Sequence, residues 1–566
     1  MIKTPNSSLK NSSDNELVFI PLGGLGEIGM NAGLYGFGPP QDRKWILVDC
    51  GMSFGNEEFL PGIDVIYPDI RFLEEEQKNL LGIFITHAHE DHIGALTALW
   101  PRLRAPVYAT KFAISLLETR RLSEPGAPQI KFRKVKPYTR INAGPFELEY
   151  IPVAHSIPES NAIVLRTPLG NVLHSGDWKL DDNPVVGSST NPDDFKKLGE
   201  EGLLALVCDS TNVTVDGFNA SELMVQKNLT EIISKASGRV AVTTFASNVA
   251  RLKAIIDAAQ ACGRKVMLAG RSMERVVNVA RDCGYLDSKV FFEPIENFNR
   301  LPRNKVVLIM TGSQGEARAA LARIAAKEHP DIRLTSGDQV IFSARTIPGN
   351  ERVVSRIVNR LVEQGVEIVT ERDALIHVSG HPRREELKQM YHWTKPQKVI
   401  PAHGEMLHLA EQAKLAKEMD VPEIVIARNG QMVRIAPGHA ELIDDVPCGR
   451  LYQDGEILTD ESDYAISQRR RLSFAGIISV AFAIDGKGNI SAGPMVDMKG
   501  LPEKKRNGED MADSVADTVV DVLKGLSYKQ RCDADLLENA VHKAVRSTVN
   551  ATWGKKPFVH VLVLEV

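Results

Sequence analysis

Four side chains that bind metal ions well occur within six residues of one another. They are His87, His89, Asp91 and His92. His87 and His89 alternate on an extended turn and can reach one cation, while Asp91 and His92 point in another direction and can reach a second. The alternative is a solvated polar turn that carries histidines by chance, but this spacing directly after an apolar run argues against it. The segment predicts a two-metal site.

Three further candidate ligands lie far apart in the chain. His155 and His403 each follow a short apolar run, and Asp177 stands at the end of another. Asp177 is the candidate for a carboxylate that bridges two metals, because it can give one oxygen to each. His174, three residues before Asp177, points elsewhere on a strand and is expected to be a packed histidine.

Asp49 is the candidate for a supporting role behind the metals. It ends the apolar run 45–48, and a carboxylate at the tip of a buried strand is costly unless it is paired. We expect Asp49 to hydrogen-bond metal-bound histidines and fix the orientation of their rings. A turn-capping aspartate is the alternative interpretation.

Buried strands are needed to bring these residues together. Residues 81–85 form an apolar run typical of a buried strand, so the His/Asp cluster should lie just past its carboxyl end. Residues 24–29 match the dinucleotide pattern G-x-G-x-x-G, with Asp49 at the distance of a ribose-binding acid. The Gly- and Pro-rich residues 31–40 that follow cannot form the required helix. A glycine-rich turn between antiparallel strands is the better prediction.

Composition limits the remaining possibilities. The chain has 566 residues, 43% of them hydrophobic and 25% charged, which is typical of a globular protein with several domains. Its net charge of -4 predicts that any nucleic-acid binding uses local patches. The six cysteines include no Cys-x-x-Cys pair and are expected to be reduced. No apolar run approaches membrane-spanning length and the N-terminus is polar, so we expect a disordered tail and a cytoplasmic location.

A long insertion separates the last two candidate ligands. Asp177 and His403 are 226 residues apart, and the intervening chain begins with the strand-like run 203–209. Strand-like runs there alternate with helical stretches such as 249–262, which predicts a parallel α/β domain.

Six motifs in order make the chain resemble the ribonuclease J family, in the β-CASP group of the metallo-β-lactamase superfamily. They are Asp-Ser-Thr-Asn at 209–212, Phe-Ala-Ser-Asn at 245–248, Thr-Gly-Ser-Gln-Gly-Glu at 311–316, Ile-Pro-Gly-Asn-Glu at 347–351, His-Val-Ser-Gly-His at 377–381 and Pro-Ala-His-Gly-Glu at 401–405. The resemblance implies an α/β fold: a metallo-β-lactamase αββα sandwich with an inserted parallel α/β β-CASP domain and a small α+β C-terminal domain. The expected divisions are a disordered tail (1–16), the sandwich (17–208 and 371–436), the insertion (209–370), a linker (437–467) and an oligomerisation domain (468–566).

The resemblance also implies an activity. Family members cleave RNA as 5′-to-3′ exonucleases and as endonucleases with two zinc ions, in RNA processing and decay. One zinc would take His87, His89, His155 and Asp177, and the other would take Asp91, His92, Asp177 and His403, with Mn²⁺ or Mg²⁺ as other possible metals. Water activated by the two metals would attack the phosphodiester. His381 is the candidate proton donor to the leaving oxygen and Asp209 its partner, with the division between them left open.

Two segments are candidates for binding the terminal phosphate of a 5′-monophosphorylated RNA. His377, Ser379 and the backbone of Val378, Gly380 and His381 offer donors on a tight turn. Ser247 and Asn248 precede a helix and could supply more. By resemblance these segments hold the first nucleotide. The alternative is that they are ordinary helix caps and a glycine turn.

Other functions and partners remain open at this point. The alternatives are a DNA-directed β-CASP nuclease, a small-ester hydrolase, and a non-catalytic RNA-binding scaffold subunit. Family resemblance implies a homodimer or homotetramer, and other RNA-decay proteins are possible partners. Basic residues cluster at Lys131–Lys136 and at Arg383 and Arg384, where they could contact phosphates or be solvated surface.

Overall fold

The computed structural model describes residues 15–55, 59–124, 126–347 and 349–566. Most of the predicted disordered tail, residues 1–14, lies outside the described residues. The strands are β1 (Glu16–Gly23), β2 (Ala32–Gly38), β3 (Lys44–Val48), β4 (Ser53–Phe54), β5 (Val65–Pro68), β6 (Leu80–Phe84), β7 (Val107–Ala109), β8 (Phe132–Lys134), β9 (Arg140–Ala143), β10 (Phe146–Pro152), β11 (Asn161–Thr167), β12 (Gly170–His174), β13 (Leu203–Asp209), β14 (Val240–Thr243), β15 (Lys265–Ala269), β16 (Val306–Met310), β17 (Gln339–Phe342), β18 (Glu367–Val369), β19 (Lys398–Ala402), β20 (Glu423–Ile424), β21 (Gln431–Ala436), β22 (Glu441–Asp445), β23 (Arg450–Asp454), β24 (Ile457–Asp460), β25 (Ile477–Ile484), β26 (Ile490–Lys499) and β27 (Phe558–Glu565).

The helices alternate with these strands. They are α1 (Arg71–Glu75), α2 (Glu90–Ile93), α3 (Leu96–Leu103), α4 (Lys111–Ser123), α5 (Pro192–Glu201), α6 (Glu222–Lys235), α7 (Val249–Ala261), α8 (Arg271–Asp282), α9 (Ala320–Ala325), α10 (Glu351–Glu363), α11 (Arg384–Thr394), α12 (Met406–Glu418), α13 (Tyr464–Ala475), α14 (Met511–Gly525), α15 (Tyr528–Arg531) and α16 (Ala534–Trp553). Within the described residues, no helix is both long and apolar enough to span a bilayer.

Two sheets packed face to face form the centre of the first compact unit, which comprises the described residues up to Ser53, from 15 on, and those of Ile66–Arg450. One has the order β22-β21-β1-β2-β3-β6-β7-β8 and the other β20-β19-β13-β12-β11-β10-β9. Apolar side chains from both sheets fill the space between them, such as Phe19 and Ile46 against Leu148 and Val207. This packing buries one face of each sheet.

Helices cover the outer faces of both sheets. Phe195 of α5, Leu387 of α11 and Leu415 of α12 join Leu206 of β13 in one apolar cluster. On the other sheet, Phe72 of α1 packs edge-on against Trp45 of β3 at 5.3 Å. The predicted αββα sandwich is confirmed.

The inserted domain has its own sheet, with the order β15-β16-β14-β17-β18. All four strand pairs in it are parallel, which confirms the predicted parallel α/β insertion. Strand β13, which immediately precedes the insertion, pairs with β12 and β19 in the second sheet of the sandwich. Its run of apolar residues is buried on both faces, as expected for a central parallel strand.

The glycine-rich residues 24–29 connect antiparallel strands β1 and β2, as predicted. Gly24 and Gly26 have φ angles of +88° and +83°, which side chains with a Cβ rarely adopt. No helix follows them, so the dinucleotide interpretation has no structural support at this turn.

The segment 437–467, predicted as a linker, is not a loop. It contains β22, β23 and β24, and α13 begins at Tyr464. The acidic sequence misled because β22 is an edge strand: it pairs with β21 through its backbone while most of its side chains remain exposed. The domain divisions themselves stay predictions.

The second compact unit comprises Phe54–Val65 and Leu451–Val566. Its β25 and β26 form the predicted antiparallel hairpin, and β27 adds to β25 in parallel. Helices α14 and α16 pack against one face of this sheet through Val515, Val519, Val541 and Val545. The predicted α+β fold of this region is confirmed.

Candidate active site

The predicted ligands come together because their strands end at one edge of the sandwich. β3 and β6 run parallel to each other, and so do β12, β13 and β19. His87 and His89 follow β6, while Asp91 and His92 lie on α2, immediately after. The remaining ligands follow three other strands of the second sheet: His155 after β10, Asp177 after β12 and His403 after β19.

The first cluster consists of His87, His89, His155 and Asp177. His89 Nδ1 lies 3.1 Å from His87 Nε2 and 3.0 Å from His155 Nε2. Asp177 Oδ2 lies 3.7 Å and 3.8 Å from those two Nε2 atoms. Ligands placed tetrahedrally around a zinc ion, with Zn–N about 2.0–2.1 Å, are about 3.4 Å apart. The donor set therefore fits one zinc-sized cation.

The second cluster consists of Asp91, His92, Asp177 and His403. His92 Nε2 lies 3.3 Å from Asp177 Oδ2 and 3.5 Å from Asp91 Oδ2. His403 Nε2 lies 3.6 Å from Asp91 Oδ2. Because Asp177 belongs to both clusters, its carboxylate is placed to be shared by two cations.

Two buried atoms of the second cluster form an ion pair. Asp177 Oδ1 and His403 Nδ1 lie 2.9 Å apart, and their attraction lowers the pKa of Asp177 and raises that of His403 against the effect of burial. A bound cation could take the place of the proton between them, because a carboxylate oxygen and an imidazole nitrogen are both metal ligands.

The first cluster keeps its histidines neutral. Burial lowers the pKa of His89 to about 4, and it also lowers the pKa values of His87 and His155 well below the ordinary value. Metal binding needs the neutral imidazole, so these three side chains are ready to act as ligands at neutral pH.

The second cluster attracts positive charge. Burial alone would lower the pKa of His92, but the carboxylates of Asp177, Asp91 and Asp49 raise it well above the ordinary value. The same carboxylates would attract a divalent cation in place of that proton. The first cluster therefore offers three neutral imidazoles, and the second offers the carboxylates of Asp91 and Asp177. Donors of both kinds bind divalent cations.

Hydrogen bonds behind the ligands select which ring nitrogen faces the cluster. His92 Nδ1 donates to Asp49 Oδ2 at 2.7 Å, and His155 Nδ1 donates to the Gly380 carbonyl at 2.7 Å. Each bond leaves Nε2 with its lone pair towards the cluster. Asp49 also accepts from the Thr86 N–H at 2.8 Å, which ties the end of β3 to the segment that carries His87.

Asp49 and His403 share an uncommon backbone conformation. Their φ angles are +63° and +49°, in the left-handed region that non-glycine residues seldom occupy. Such conformations persist where the surrounding structure holds them, often at functional sites.

His381 and Asp209 lie beside the two clusters. His381 Nδ1 donates to Asp209 Oδ2 at 2.8 Å and lies 3.7 Å from Asp177 Oδ2. Burial would lower the pKa of His381, but the two carboxylates raise it to about 9. His174 lies outside the clusters and contacts the Tyr35 hydroxyl through Nδ1 at 3.0 Å, as expected for a packed histidine.

The two candidate phosphate-binding segments are joined by a buried arginine. Arg251 Nη1 donates to the Ile376 carbonyl at 3.0 Å and to His377 Nδ1 at 3.3 Å. Since His377 Nδ1 accepts, its Nε2 carries the hydrogen and can donate. Burial and then Arg251 lower the pKa of His377 well below the ordinary value, so the ring is neutral.

The other members of these segments differ in what they can offer a phosphate. Asn248 caps α7, because its Oδ1 accepts from the Arg251 N–H at 2.8 Å. Its amide Nδ2 is the side-chain donor that could face a phosphate. Ser379 Oγ accepts from Asn212 Nδ2 at 2.7 Å and keeps its own hydrogen for another acceptor. Ser247 is partly exposed, while Val378 is buried and can offer only its backbone.

Sequence reasoning missed three residues that hold the site. Asn31 Nδ2 lies 3.1 Å from His92 Nε2, and Asn212 joins Ser379 to the His381 carbonyl. Arg251 was also missed. Asn212 lies in the motif at 209–212 and could have been found from it, whereas nothing near Asn31 or Arg251 in the sequence distinguishes them.

Gly380 leaves no room for a side chain, which gives a first prediction. A Cβ at this position would lie 2.4 Å from His155 Cε1 and 2.7 Å from His155 Nδ1. Gly380→Ala should displace His155 and lower metal affinity and activity about ten-fold or more, as changes in groups that orient metal ligands do. Metal content after dialysis and RNA cleavage rate would measure this. Gly486→Ala, where a Cβ meets nothing within 4 Å, is the control and should behave as the unchanged protein.

Four family models match the chain. They are "Metallo-beta-lactamase superfamily" at residues 27–203, "Ribonuclease J, beta-CASP domain" at 237–361, "Zn-dependent metallo-hydrolase RNA specificity domain" at 365–426 and "Ribonuclease J C-terminal domain" at 464–566. In that order they follow the sandwich, the insertion, the return to the sandwich and the second compact unit.

Several characterised relatives match over nearly the whole chain. Ribonuclease J of Sinorhizobium meliloti is 50% identical over 98% of this chain and 98% of its own length. Ribonuclease J of Mycolicibacterium smegmatis is 38% identical over 96% of both chains, and that of Thermus thermophilus is 33% identical over 99% of this chain and 97% of its own. A solved structure of a protein of unknown function from Enterococcus faecalis covers 74% of this chain with a TM-score of 0.50 and 15% identity, a similarity of fold alone.

Proposed function

Since the chain belongs to the ribonuclease J family and is a metal-dependent ribonuclease, we propose that it binds two zinc ions and cleaves RNA both from the 5′ end and internally. The observation that carries the two-metal proposal is the position of Asp177 in both clusters. When bound, two divalent cations supply a water of lowered pKa and positive charge for the phosphoryl oxygens.

The chain's own residues would supply the proton for the leaving group. Hydrolysis breaks the bond between phosphorus and the 3′-oxygen, and that oxygen must gain a proton. The carboxylates of Asp209 and Asp177 raise the pKa of His381 to about 9, which favours the protonated ring that a general acid needs. Asp209 accepts the hydrogen on His381 Nδ1, which leaves the Nε2 hydrogen free for the leaving oxygen. We assign His381 the role of general acid and Asp209 that of orienting it.

Exonuclease action is supported by the candidate phosphate segments. His377 can donate through Nε2 and Ser379 through its hydroxyl, and both lie close in sequence to Gly380, which contacts His155 of the first cluster. A phosphate held there would place the first phosphodiester near the metals and so measure off one nucleotide. This explains a preference for 5′-monophosphorylated RNA.

The second compact unit is proposed to form a homodimer or a larger homo-oligomer. In β27, Val559 and Val561 face the helices, whereas His560, Leu562 and Leu564 alternate with them and are exposed. Met495 of β26 is also exposed. A second copy of the same sheet would cover these apolar side chains.

Two of the alternative functions lose support. The non-catalytic scaffold is disfavoured because all seven predicted ligand residues lie in two clusters with metal-ligand spacing. The DNA-directed nuclease is disfavoured by the match of residues 365–426 to an RNA specificity domain. The free cysteines of the described chain and an RNA substrate are compatible with the proposed cytoplasmic location.

The proposed function is tested with a 5′-labelled, 5′-monophosphorylated RNA, the same RNA with a 5′-triphosphate, and a DNA of equal sequence. We expect labelled mononucleotide from the monophosphorylated RNA, less from the triphosphate and none from DNA. A chelator should abolish release, and two equivalents of Zn²⁺ per chain should restore it.

Each part of the proposal can fail separately in this experiment. Internal fragments without mononucleotide would remove the exonuclease and the phosphate segments while keeping the two-metal nuclease. Restoration by one equivalent of metal would contradict the two-metal site. Cleavage of DNA at the rate of RNA would bring the DNA-directed alternative forward.

A further inference from the structure

A cavity of about 280 Å³ is lined by His155 and by residues to which no role has been assigned so far. Its wall comes from the start of α4, the end of β8, the loop after β10, residues 186–188 and Tyr285 of the inserted domain. Small-molecule sites begin at about 300 Å³, so the space suits one small ligand. His155 lines both this cavity and the first metal cluster.

The cavity has a surplus of positive charge. Lys111, Lys134 and Lys136 line it, and none of the ion pairs found among the described residues involves them. The carboxylate in the lining, Glu159, accepts from the Phe112 N–H at 2.7 Å and from the Tyr285 hydroxyl at 2.9 Å. Its charge is therefore directed to the start of α4 and to Tyr285. Lys111 Nζ donates to the Asp282 carbonyl at 3.2 Å, so the ammonium groups that remain for an anion are those of Lys134 and Lys136.

The rest of the wall suits the other parts of a nucleotide. Val135, Pro137 and Ile157 supply apolar surface. Thr110 and Ser188 add side-chain hydroxyls to the lining, which can donate to or accept from a ribose.

We propose that this cavity binds a nucleoside 5′-monophosphate, with the phosphate against Lys134 and Lys136. The proposal rests on the exonuclease activity proposed above. In that reaction water adds across the bond between phosphorus and the 3′-oxygen. The first nucleotide leaves with its own 5′-phosphate and a new 3′-hydroxyl, and the RNA keeps the new 5′-phosphate. Each turnover thus produces the ligand that the cavity fits, beside His155.

The test is equilibrium dialysis of the metal-loaded protein with AMP, adenosine and inorganic phosphate. Lys134→Ala/Lys136→Ala should raise the Kd of AMP about ten-fold or more, because two charged contacts to the phosphate are lost. Both lysines are exposed, so the fold should be retained. Adenosine should bind far more weakly than AMP, and phosphate should compete with AMP.

The matched control is Lys131→Ala/Arg133→Ala, which removes the same charge from the same strand region outside the cavity lining. It should leave the Kd of AMP unchanged. Equal weakening in both double variants, or none in Lys134→Ala/Lys136→Ala, overturns the proposal. A raised KM for RNA with an unchanged Kd for AMP would assign the lysines to the RNA backbone and overturn it as well.

Cleavage assays separate this proposal from the proposed function. Initial rates on monophosphorylated RNA should be unchanged in Lys134→Ala/Lys136→Ala, while inhibition by added AMP should weaken in parallel with its Kd. If the enzyme releases mononucleotide but Lys134→Ala/Lys136→Ala binds AMP as tightly as the unchanged protein, the cavity proposal is overturned and the proposed function stands. If AMP binding depends on the two lysines but no mononucleotide is released from RNA, the exonuclease proposal is overturned, and with it the idea that the bound nucleotide is a reaction product. The two results can be distinguished because equilibrium dialysis needs no turnover.

Discussion

Asp177→Asn is expected to abolish RNA cleavage and to release metal from both clusters. The Asp177 carboxylate lies within 3.8 Å of nitrogen atoms from His87, His92 and His155, so both cations depend on it. Asparagine keeps the shape but offers one neutral oxygen and no negative charge. Loss of several kcal/mol of transition-state stabilisation corresponds to a fall in rate of roughly 10³-fold or more. Metal content and single-turnover cleavage would measure the two effects.

Asp182→Asn is the matched control for this variant. Asp182 is exposed and close in sequence to Asp177, and it belongs to neither cluster. It should keep two metals and full activity. If Asp177→Asn kept two tightly bound metals, Asp177 would not be the shared ligand, and the two clusters would have to be assigned differently.

Much of the metal clusters could be predicted from the sequence because four of their residues lie close together in the chain, just after one strand. His87, His89, Asp91 and His92 lie within six consecutive positions just after the end of one strand, so their proximity is set by the chain itself. Asp177 and His403 needed only the assumption that parallel strands end at one edge. The geometry around Asp49 was also accessible, since a buried strand end limits what its carboxylate can do.

The supports of the phosphate segments could not be predicted in the same way. Arg251 lies in a helix whose other residues are mostly apolar, and an arginine there is normally expected at the surface. Its partners Glu222, Ser343 and Ile376 are between 29 and 125 residues away. A contact of this kind depends on how the inserted domain folds, which no local pattern reveals.

Secondary structure was missed where backbone pairing, not side-chain pattern, decides it. The segment 437–467 is acidic and lacks a clear alternation, yet β22 and β24 form at the edges of their sheets, where a strand needs a backbone partner on one side only. For strand β13 the side-chain pattern was clear, but the sheet to which the strand belongs was not. Its apolar run predicted a buried strand correctly, but the choice between two neighbouring sheets depends on tertiary contacts.

Arg251→Met is expected to destabilise the protein and to weaken recognition of the RNA 5′-phosphate. Arg251 is fully buried and ion-paired with Glu222, which is 3% exposed. Methionine would leave the Glu222 charge buried without its partner, at a cost of about 3–5 kcal/mol in the free energy of unfolding. His377 would also lose the donor that fixes its ring, so KM for monophosphorylated RNA should rise about ten-fold. Thermal melting and steady-state kinetics would measure the two effects.

A second variant separates the buried charge from the lost contact. In Arg251→Met/Glu222→Gln no unpaired charge remains, so the melting temperature should recover most of its loss. The KM for monophosphorylated RNA should stay high, because His377 still lacks its partner. Recovery of both properties together would mean that Arg251 acts on stability alone.

Arg239→Met is the control for the phosphate readout. Arg239 is also a buried arginine of the inserted domain, paired with Asp338 at 3.6 Å and stacked on Phe298 at 4.8 Å. Its loss should lower stability without touching residues 376–377. The ratio of KM values for 5′-hydroxyl and 5′-monophosphorylated RNA should therefore fall in Arg251→Met and stay constant in Arg239→Met. An equal fall in both variants would attribute the effect to general loosening of the inserted domain, and Arg251 would not position the phosphate segments.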